Sequence, residues 1–370
     1  MPEVKEKRVT WAELYFDLVF VFAITQVSGL LYQSQGAGAV PRALVVFIPV
    51  YWCWVGTTVQ ANVRDVDNAR DRLGIFAIGL SGLGMAMALP DAYGSRGLLF
   101  GLSYWVARLV LLAMLSSLAG AWRGPFGIGP VISGPLLVAG GLVAGDARLV
   151  LWATAALIDL AGPAVLRNRL ASVNYHPGHL PERFGLLMLV AVGESIVATG
   201  APVAAERTLS AAELVAVAAA FTISCALWWV YFVHANDAMR YAVTVTGSRR
   251  DLIRRLFSYA HLVLIAAVLA VAVGFHGTVV RPGQELGLRT LALLYGGCAL
   301  YLLTFNYTRW IMFRAIATTR LGAAVVVLAL LPVVRRMPAL GALLVLAVVL
   351  VMLVVLEEAR VRRRVAAEAT

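Results

Sequence analysis

Residues 12–33 read AELYFDLVFVFAITQVSGLLYQ, an apolar run that carries two carboxylates, Glu13 and Asp17. About 20 apolar residues suffice to cross a bilayer as a helix, so this run predicts a first membrane span. The ten residues before it, MPEVKEKRVT, are charged, and no small-residue cleavage site follows, which predicts a retained span and not a cleaved signal peptide. Glu13 and Asp17 are one turn apart and share one helix face.

The rest of the chain repeats this apolar character. Over 370 residues, 61% are hydrophobic and 14% are charged, and the mean hydropathy is +0.83. These values lie outside the range of soluble domains, so we expect an all-α polytopic integral membrane bundle of about twelve helices. The predicted spans are 12–33, 40–60, 73–90, 97–118, 130–145, 148–166, 183–201, 211–234, 256–275, 289–313, 319–334 and 338–356.

The basic residues indicate how the chain is oriented. The net charge is +11, but the Lys and Arg residues lie at span boundaries and form no basic face, so no nucleic-acid partner is expected. With the N-terminus inside, most of the 31 Lys and Arg fall on the cytoplasmic side, which predicts a multi-pass protein of the cell membrane with both termini cytoplasmic. Cys53, Cys225 and Cys298 lack the spacing of a zinc or disulfide motif.

The two halves of the chain share a pattern. Trp52 and Trp54 precede Asn62 and Asp65 in the first half, and a similar order recurs in the second half at Trp228, Trp229, Asn236 and Asp237. This recurrence predicts two six-span repeats, 1–170 and 171–370, in one integral membrane domain. The alternative is that aromatic and charged residues recur at any membrane interface.

Ionisable residues within the spans are the first candidate site. Each costs about 2.5–3.5 kcal/mol in hydrocarbon even on a mild scale, so each needs a physical reason. One hypothesis is a substrate-binding or ion-binding path, in which carboxylates take a cation or proton and Arg108 is a counter-charge or an anion contact. The other is that these groups pair with one another to hold helices together, which the positions of Asp159 and His261 favour. The predicted path residues are Glu13, Asp17, Glu194, Arg108 and His261.

Polar residues at two span ends form the second candidate site. The first cluster runs from Asn62 through Asp65 and Asp67 to Arg70, and the second comprises Asn236, Asp237 and Arg240. Carboxylates at this spacing would suit Mg²⁺, with Asn62, Asp65 and Asp237 as ligands and the Arg side chains on phosphate groups. The alternative is a pair of solvated loops with local ion pairs.

The chain resembles a known family. The stretch WAELYFDLVFVFAITQ at 11–26 is similar to the opening signature of the bacterial low-temperature-requirement A (LtrA) family, and nearly the whole chain shows further matches. These matches are the Trp52 and Trp54 span, the segment from Glu182-Arg183-Phe184 to Gly193-Glu194-Ser195, the run Trp228-Trp229-x-Tyr231-Phe232, and Tyr259-x-His261. The resemblance implies a membrane fold but no reaction, because the family name reports a growth phenotype.

Two looser similarities suggest different functions. The segment from Phe16 to Thr25 is similar to the first-helix motif of potassium channels built from six-span repeats, although Tyr15-Phe16-Asp17 stands where that motif has Phe-Ser-Asp. The paired Asn/Asp clusters resemble the Asp-rich motifs of UbiA-type prenyltransferases, which bind prenyl diphosphate through Mg²⁺.

Three functions therefore remain open. The first is a transporter or channel-like protein for a small solute or ion. The second is a membrane-embedded enzyme that acts on an isoprenoid or lipid diphosphate, with Asp65, Asp67, Asn236, Asp237, Arg70 and Arg240 as its catalytic residues and Mg²⁺ as its cofactor. The third is a structural or stress-related membrane protein. Membrane lipids surround the chain in each case, and no Gly-rich loop suggests a nucleotide cofactor.

Overall fold

The computed structural model describes residues 7–34, 36, 38–64, 66–115, 121–170, 175–176, 178–206, 208–245 and 250–368. Within these ranges the chain is helical and contains no β-strand. The twelve membrane-length or shorter apolar helices are α1 (Trp11–Gln33), α2 (Ala39–Val63), α3 (Ala69–Asp91), α4 (Gly97–Met114), α5 (Pro125–Leu142), α6 (Gly145–Val165), α7 (His179–Ala204), α8 (Ala211–Val245), α9 (Arg250–Val279), α10 (Leu288–Phe313), α11 (Thr318–Val334) and α12 (Ala339–Glu368).

Eleven of these described helices are long and apolar enough to cross a membrane. The exception is α11, which is shorter and is interrupted after Ala329. A new turn begins at Leu331, and Pro332 in this turn has no backbone N–H to donate. The prediction of a polytopic all-helical membrane protein is therefore confirmed.

Two helices begin with the same local device. Thr10 caps α1, and the side chain of Glu13 returns to the backbone N–H of Thr10. Ser210 and Glu213 form the same reciprocal pair at the start of α8. Such a capping box satisfies N–H groups that the first helical turn leaves unpaired. The two boxes differ in burial, because Glu13 is buried and Ser210 and Glu213 are on the surface.

The chain divides into two compact units. The first comprises Met1–Leu186 and Ser248–Arg254, and the second comprises Leu187–Gly247 and Arg255–Thr370. The first turns of α7 belong with the first unit. The sequence prediction placed a repeat boundary at residue 170, and that boundary stays a prediction.

Within each unit the helices pack in a regular order. In the first unit α3 packs on α4, α4 on α5, α5 on α6, and α2 on α6. In the second unit α9 packs on α10, α10 on α11, α11 on α12, and α8 on α12. If the helices of the two units are numbered from α1 and from α7, the same four pairs of helices pack together in both units. A six-span duplication would produce this order, and the duplication itself stays a prediction.

Three helices contain a π-helical segment. These segments are Gly129–Ser133 in α5, Val230–Ala235 in α8 and Arg254–Ala260 in α9. A π-segment widens the helix by one residue and shifts the direction of the side chains that follow it. Ser133, Tyr231 and Leu256, which lie in these segments, supply partners to buried polar side chains described below.

Candidate functional site

The strongest polar cluster of the first unit surrounds Asp17 on α1. The guanidinium of Arg183 on α7 donates to both carboxylate oxygens of Asp17, at 2.6 and 2.8 Å. The indole N–H of Trp54 on α2 donates to Asp17 Oδ1 at 2.8 Å, and Arg183 lies over the Trp54 ring, 5.3 Å from its centroid. All three side chains are buried. Bidentate Arg–carboxylate pairing fixes both distance and orientation, so α1, α2 and α7 meet at a defined point.

Glu13 lies one turn before Asp17 and belongs to the same cluster. Its Oε2 atom completes the capping box with Thr10. Its Oε1 atom lies 3.1 Å from His179 Nε2 and 3.6 Å from Arg183 Nε. Oε1 is buried and makes no aligned hydrogen bond within the described part of the chain. This oxygen therefore keeps a lone pair that can accept a proton.

The protonation state of His179 follows from its neighbour Asn62. Asn62 Oδ1 accepts from the backbone N–H of His176, and Asn62 Nδ2 donates to the carbonyl of His176, so the orientation of the amide is fixed. Nδ2 then faces His179 Nδ1 at 3.3 Å. An amide N–H requires an acceptor, so the hydrogen of the neutral imidazole lies on Nε2, toward Glu13.

Outside the spans, burial and the charge of Lys7 lower the pKa of His176.

The charges of this cluster do not balance. With both carboxylates ionised, Arg183 protonated and His179 neutral, the four side chains carry one net negative charge. All four are buried, with His179 fully so. An uncompensated charge in a low-dielectric environment is costly, and uptake of one proton would neutralise it.

A second polar cluster of the first unit surrounds Asp159 on α6. Tyr104 donates to one carboxylate oxygen and Ser133 donates to the other, at 2.5 and 2.7 Å. Arg108 on α4 interacts with Asp159 electrostatically, but no nitrogen of Arg108 lies within 4.0 Å of an Asp159 oxygen. Arg108 donates one hydrogen bond, from Nη1 to the carbonyl of Trp52 at 3.3 Å.

The other predicted path residues lie in the second unit. Glu194 is buried on α7. His261 on α9 is fully buried, and its ring nitrogens contact the hydroxyl of Tyr231 at 2.9 Å and the carbonyl of Leu256 at 2.8 Å. Because the Leu256 carbonyl needs a donor at Nδ1, His261 Nε2 is the acceptor for Tyr231 in the neutral ring. The sequence brought Glu13, Asp17, Glu194, Arg108 and His261 into one hypothesis. Within the first unit, the structure brings Glu13 and Asp17 together in one cluster and places Arg108 near Asp159 in another.

The structure describes most members of the two predicted Mg²⁺ clusters, and the metal site itself stays untested. Asp65 lies outside the described residues. Asp67 is exposed and lies 3.6 Å from Arg72, whereas Asn62 is buried and bonded to His176 and His179. Asp237 and Arg240 are exposed. Among the residues that the structure describes, no group of three or more His, Cys, Asp or Glu side chains is placed to hold a metal ion.

Sequence reasoning did not assign a role to three members of the Asp17 cluster, namely Trp54, His179 and Arg183. A signal was nevertheless present. His179 and Arg183 are four residues apart at the start of α7, just as Glu13 and Asp17 are four residues apart at the start of α1. Both pairs therefore present two side chains on one helix face, with opposite chemistry.

The comparisons with known proteins support one assignment. The family model described as "Bacterial low temperature requirement A protein (LtrA)" matches residues 8–355. A relative from Rhizobium meliloti (strain 1021), described as uncharacterized protein RA0937, is 28% identical over 320 residues, which cover 80% of this chain and 76% of the relative. The comparison with solved structures found no match.

The family match extends over nearly the whole described chain and includes the helices that carry Glu13, Asp17 and Arg183. It agrees with the resemblance that residues 11–26 indicated. The chain belongs to the bacterial low temperature requirement A (LtrA) family.

Proposed function

We propose that this LtrA family protein is a proton-coupled transporter of a small solute or ion, and that the cluster of Glu13, Asp17, His179 and Arg183 takes up and releases the coupling proton. The observation that carries the proposal is the unbalanced charge of this buried cluster. Two carboxylates face one guanidinium and one neutral imidazole, and Glu13 Oε1 makes no aligned hydrogen bond.

The protonation step follows from these contacts. Asp17 accepts three hydrogen bonds, two from Arg183 and one from Trp54, and these bonds favour its ionised form. Glu13 lies one turn from Asp17, and its Oε1 atom lies 3.6 Å from Arg183 Nε and 3.1 Å from His179 Nε2, so the pair of carboxylates holds the added proton. Protonation weakens the attraction of this pair for Arg183 and His179, and this change loosens α1 from the start of α7.

Glu194 is buried on α7 in the second unit, and its part in an ion path stays a prediction. We place the protein in the cell membrane with both termini in the cytoplasm, as the distribution of Lys and Arg predicts. We do not extend the proposal to a Mg²⁺-dependent enzyme, because the amide of Asn62 is already bonded to His176 and His179.

Proton flux in proteoliposomes tests this proposal. Vesicles that enclose a pH-sensitive dye are energised with a potassium gradient and valinomycin, and a panel of small carboxylates, amino acids, sugars and monovalent cations is added. We expect at least one solute to drive proton movement in the wild type. Glu13→Gln removes the acceptor but can keep the capping box, so it should abolish the solute-driven proton flux without unfolding α1.

Glu213→Gln is the matched control, because Glu213 occupies the same position in an exposed capping box. This variant should keep the wild-type flux. A wild type that moves no protons with any solute, or a Glu13→Gln variant with wild-type flux, would contradict the proposal. If Glu13→Gln instead lowers only the thermal stability in detergent, the cluster holds helices together and has no transport role.

A further inference from the structure

Four arginines are buried in the described part of the chain, and three of them donate two or more hydrogen bonds each. Arg148 donates five hydrogen bonds to backbone carbonyl oxygens. Arg183 forms the bidentate pair with Asp17, and Arg320 forms a similar pair with Glu357 at 2.8 and 2.9 Å. Arg108 differs from all three.

The guanidinium of Arg108 makes a single hydrogen bond within the described residues, the one at 3.3 Å to the carbonyl of Trp52. Its Nε atom is buried and has no hydrogen-bond partner there. The side chain is only 3% exposed. A guanidinium has five N–H donors and stays charged at all relevant pH values, so most of its hydrogen-bonding capacity is unused.

The surrounding backbone is shaped to admit this head group. A Cβ atom at Gly56 on α2 would lie 2.7 Å from Arg108 Nη1, and a Cβ atom at Gly129 on α5 would lie 2.0 Å from Nε. Any larger residue at either position would displace the guanidinium. Glycine on both sides therefore lets α2 and α5 approach the charged group closely.

A second buried polar side chain without a hydrogen-bond partner in the described structure, Gln60, lies on the face of α2 that carries Gly56. Gln60 follows Gly56 by one turn on α2 and is fully buried. Neither its amide nitrogen nor its carbonyl oxygen has a hydrogen-bond partner in the described structure. Gly56 contacts α4 at Arg108 and Leu111, and Arg64, one turn beyond Gln60, donates to the carbonyl of Met114. Gln60 lies between these contacts, so it also faces α4.

The nearest evident counter-charge, Asp159, accepts no hydrogen bond from Arg108. Both oxygens of Asp159 accept hydroxyl donors, from Tyr104 and Ser133, and neither comes within ion-pair distance of Arg108. Leaving a buried donor unpaired is unfavourable, and the cost is larger when the donor is charged. A ligand that accepts hydrogen bonds would remove this cost, and a guanidinium forms its stronger hydrogen bonds with anionic acceptors.

We infer that Arg108 and Gln60 form a binding site for a small monovalent anion, a halide or a small carboxylate, between α2 and α4 of the first unit. Arg108 supplies the charge and most of the donors, and the amide of Gln60 supplies a neutral donor. The site is separate from the proton cluster at Asp17, because the described hydrogen bonds and ion pairs of the two groups have no residue in common. A failure of the anion-binding proposal can therefore be distinguished from a failure of the proposed transport function.

Equilibrium binding of radiolabelled chloride tests this inference. Full-length protein is purified in detergent with gluconate, a bulky anion, as the only other anion, and acetate is added as a competitor. We expect saturable chloride binding to the wild type, and the order of chloride and acetate affinities distinguishes a halide site from a carboxylate site. Arg108→Gln should lower the affinity at least about tenfold, because a charge-assisted hydrogen bond is lost.

Arg96→Gln is the matched control, since Arg96 precedes the same helix and is exposed. It should bind chloride like the wild type. Gln60→Leu should weaken binding about two- to tenfold while thermal stability is kept, and this variant decides the question if Arg108→Gln does not fold. Glu13→Gln should leave chloride binding unchanged. The inference is overturned if the wild type shows no saturable binding of either anion, or if folded Arg108→Gln or Gln60→Leu binds like the wild type.

Discussion

At the residue scale, Trp54 reports whether Asp17 is charged. Trp54 and Trp152 are both fully buried tryptophans of the first unit, and each lies beneath an arginine, Arg183 or Arg148. They differ in their acceptors. Trp54 donates to the carboxylate of Asp17 at 2.8 Å, whereas Trp152 donates to the backbone carbonyl of Leu137 at 2.9 Å.

Trp54→Phe should therefore destabilise the protein more than Trp152→Phe. Each change leaves a similar void, but a hydrogen bond to a charged group contributes about 1 kcal/mol more than one to a neutral group. The free energy of unfolding, measured by SDS titration in mixed micelles, should be lower for Trp54→Phe by about this difference. Equal losses would mean that Asp17 is protonated in the resting protein, and the charge assignment of the cluster would then be wrong.

At the element scale, the packing of α4 on α5 depends on small residues. A Cβ atom at Gly101 on α4 would lie 2.5 Å from the carbonyl oxygen of Leu137 on α5. That neighbour is backbone, so it cannot move aside without shifting the helix. Helices in membranes lack a strong hydrophobic driving force for association, and close backbone approach at small residues supplies much of their contact.

We expect Gly101→Ala to lower the unfolding free energy by about 1–3 kcal/mol, the usual cost of overpacking. Gly29→Ala on α1 is the control, because a Cβ atom at Gly29 would meet no atom within 4 Å. The control should be neutral or slightly stabilising, since alanine is the better helix former. Thermal unfolding midpoints in one detergent compare the two variants, and equal midpoints would exclude a tight α4–α5 contact.

The π-segments also belong to the element scale. Each lies where a buried polar side chain needs a partner, as Ser133 does for Asp159 and Leu256 does for His261. Hydropathy predicts the span but carries no signal for the extra residue that widens it, since an average over side chains does not depend on which backbone groups are hydrogen-bonded. The sequence therefore predicted α5, α8 and α9 without predicting these irregularities.

At the scale of the whole molecule, the number of crossings depends on α11. This helix is shorter than the others, and its 17 residues would span about 25 Å. If α11 crosses, the chain crosses twelve times and both termini lie on one side. If it does not, the termini lie on opposite sides.

Reporter fusions after Arg314, after Met337 and at the C-terminus measure this topology. We expect a cytoplasmic reporter after Arg314, a reporter outside the cytoplasm after Met337, and a cytoplasmic one at the C-terminus. Arg360, Arg362 and Arg363 lie in the last turns of α12 and favour the inner side. Reporters on the same side after Arg314 and Met337 would show that α11 lies within or on the membrane without crossing it.

The sequence by itself determined the membrane spans, the helical class and the LtrA family. These properties depend on local composition, since a run of apolar residues becomes a membrane helix wherever it occurs. The sequence also identified Glu13, Asp17 and Arg108 as costly residues for a membrane helix.

Only the tertiary structure decided which of these residues are paired. Asp17 meets Arg183, 166 residues further along the chain, and Arg108 makes just one hydrogen bond within the described residues. The sequence of one helix is enough to show that a charged side chain would be buried at a free-energy cost. Its compensation depends on which helix faces it, and that depends on how the whole unit packs.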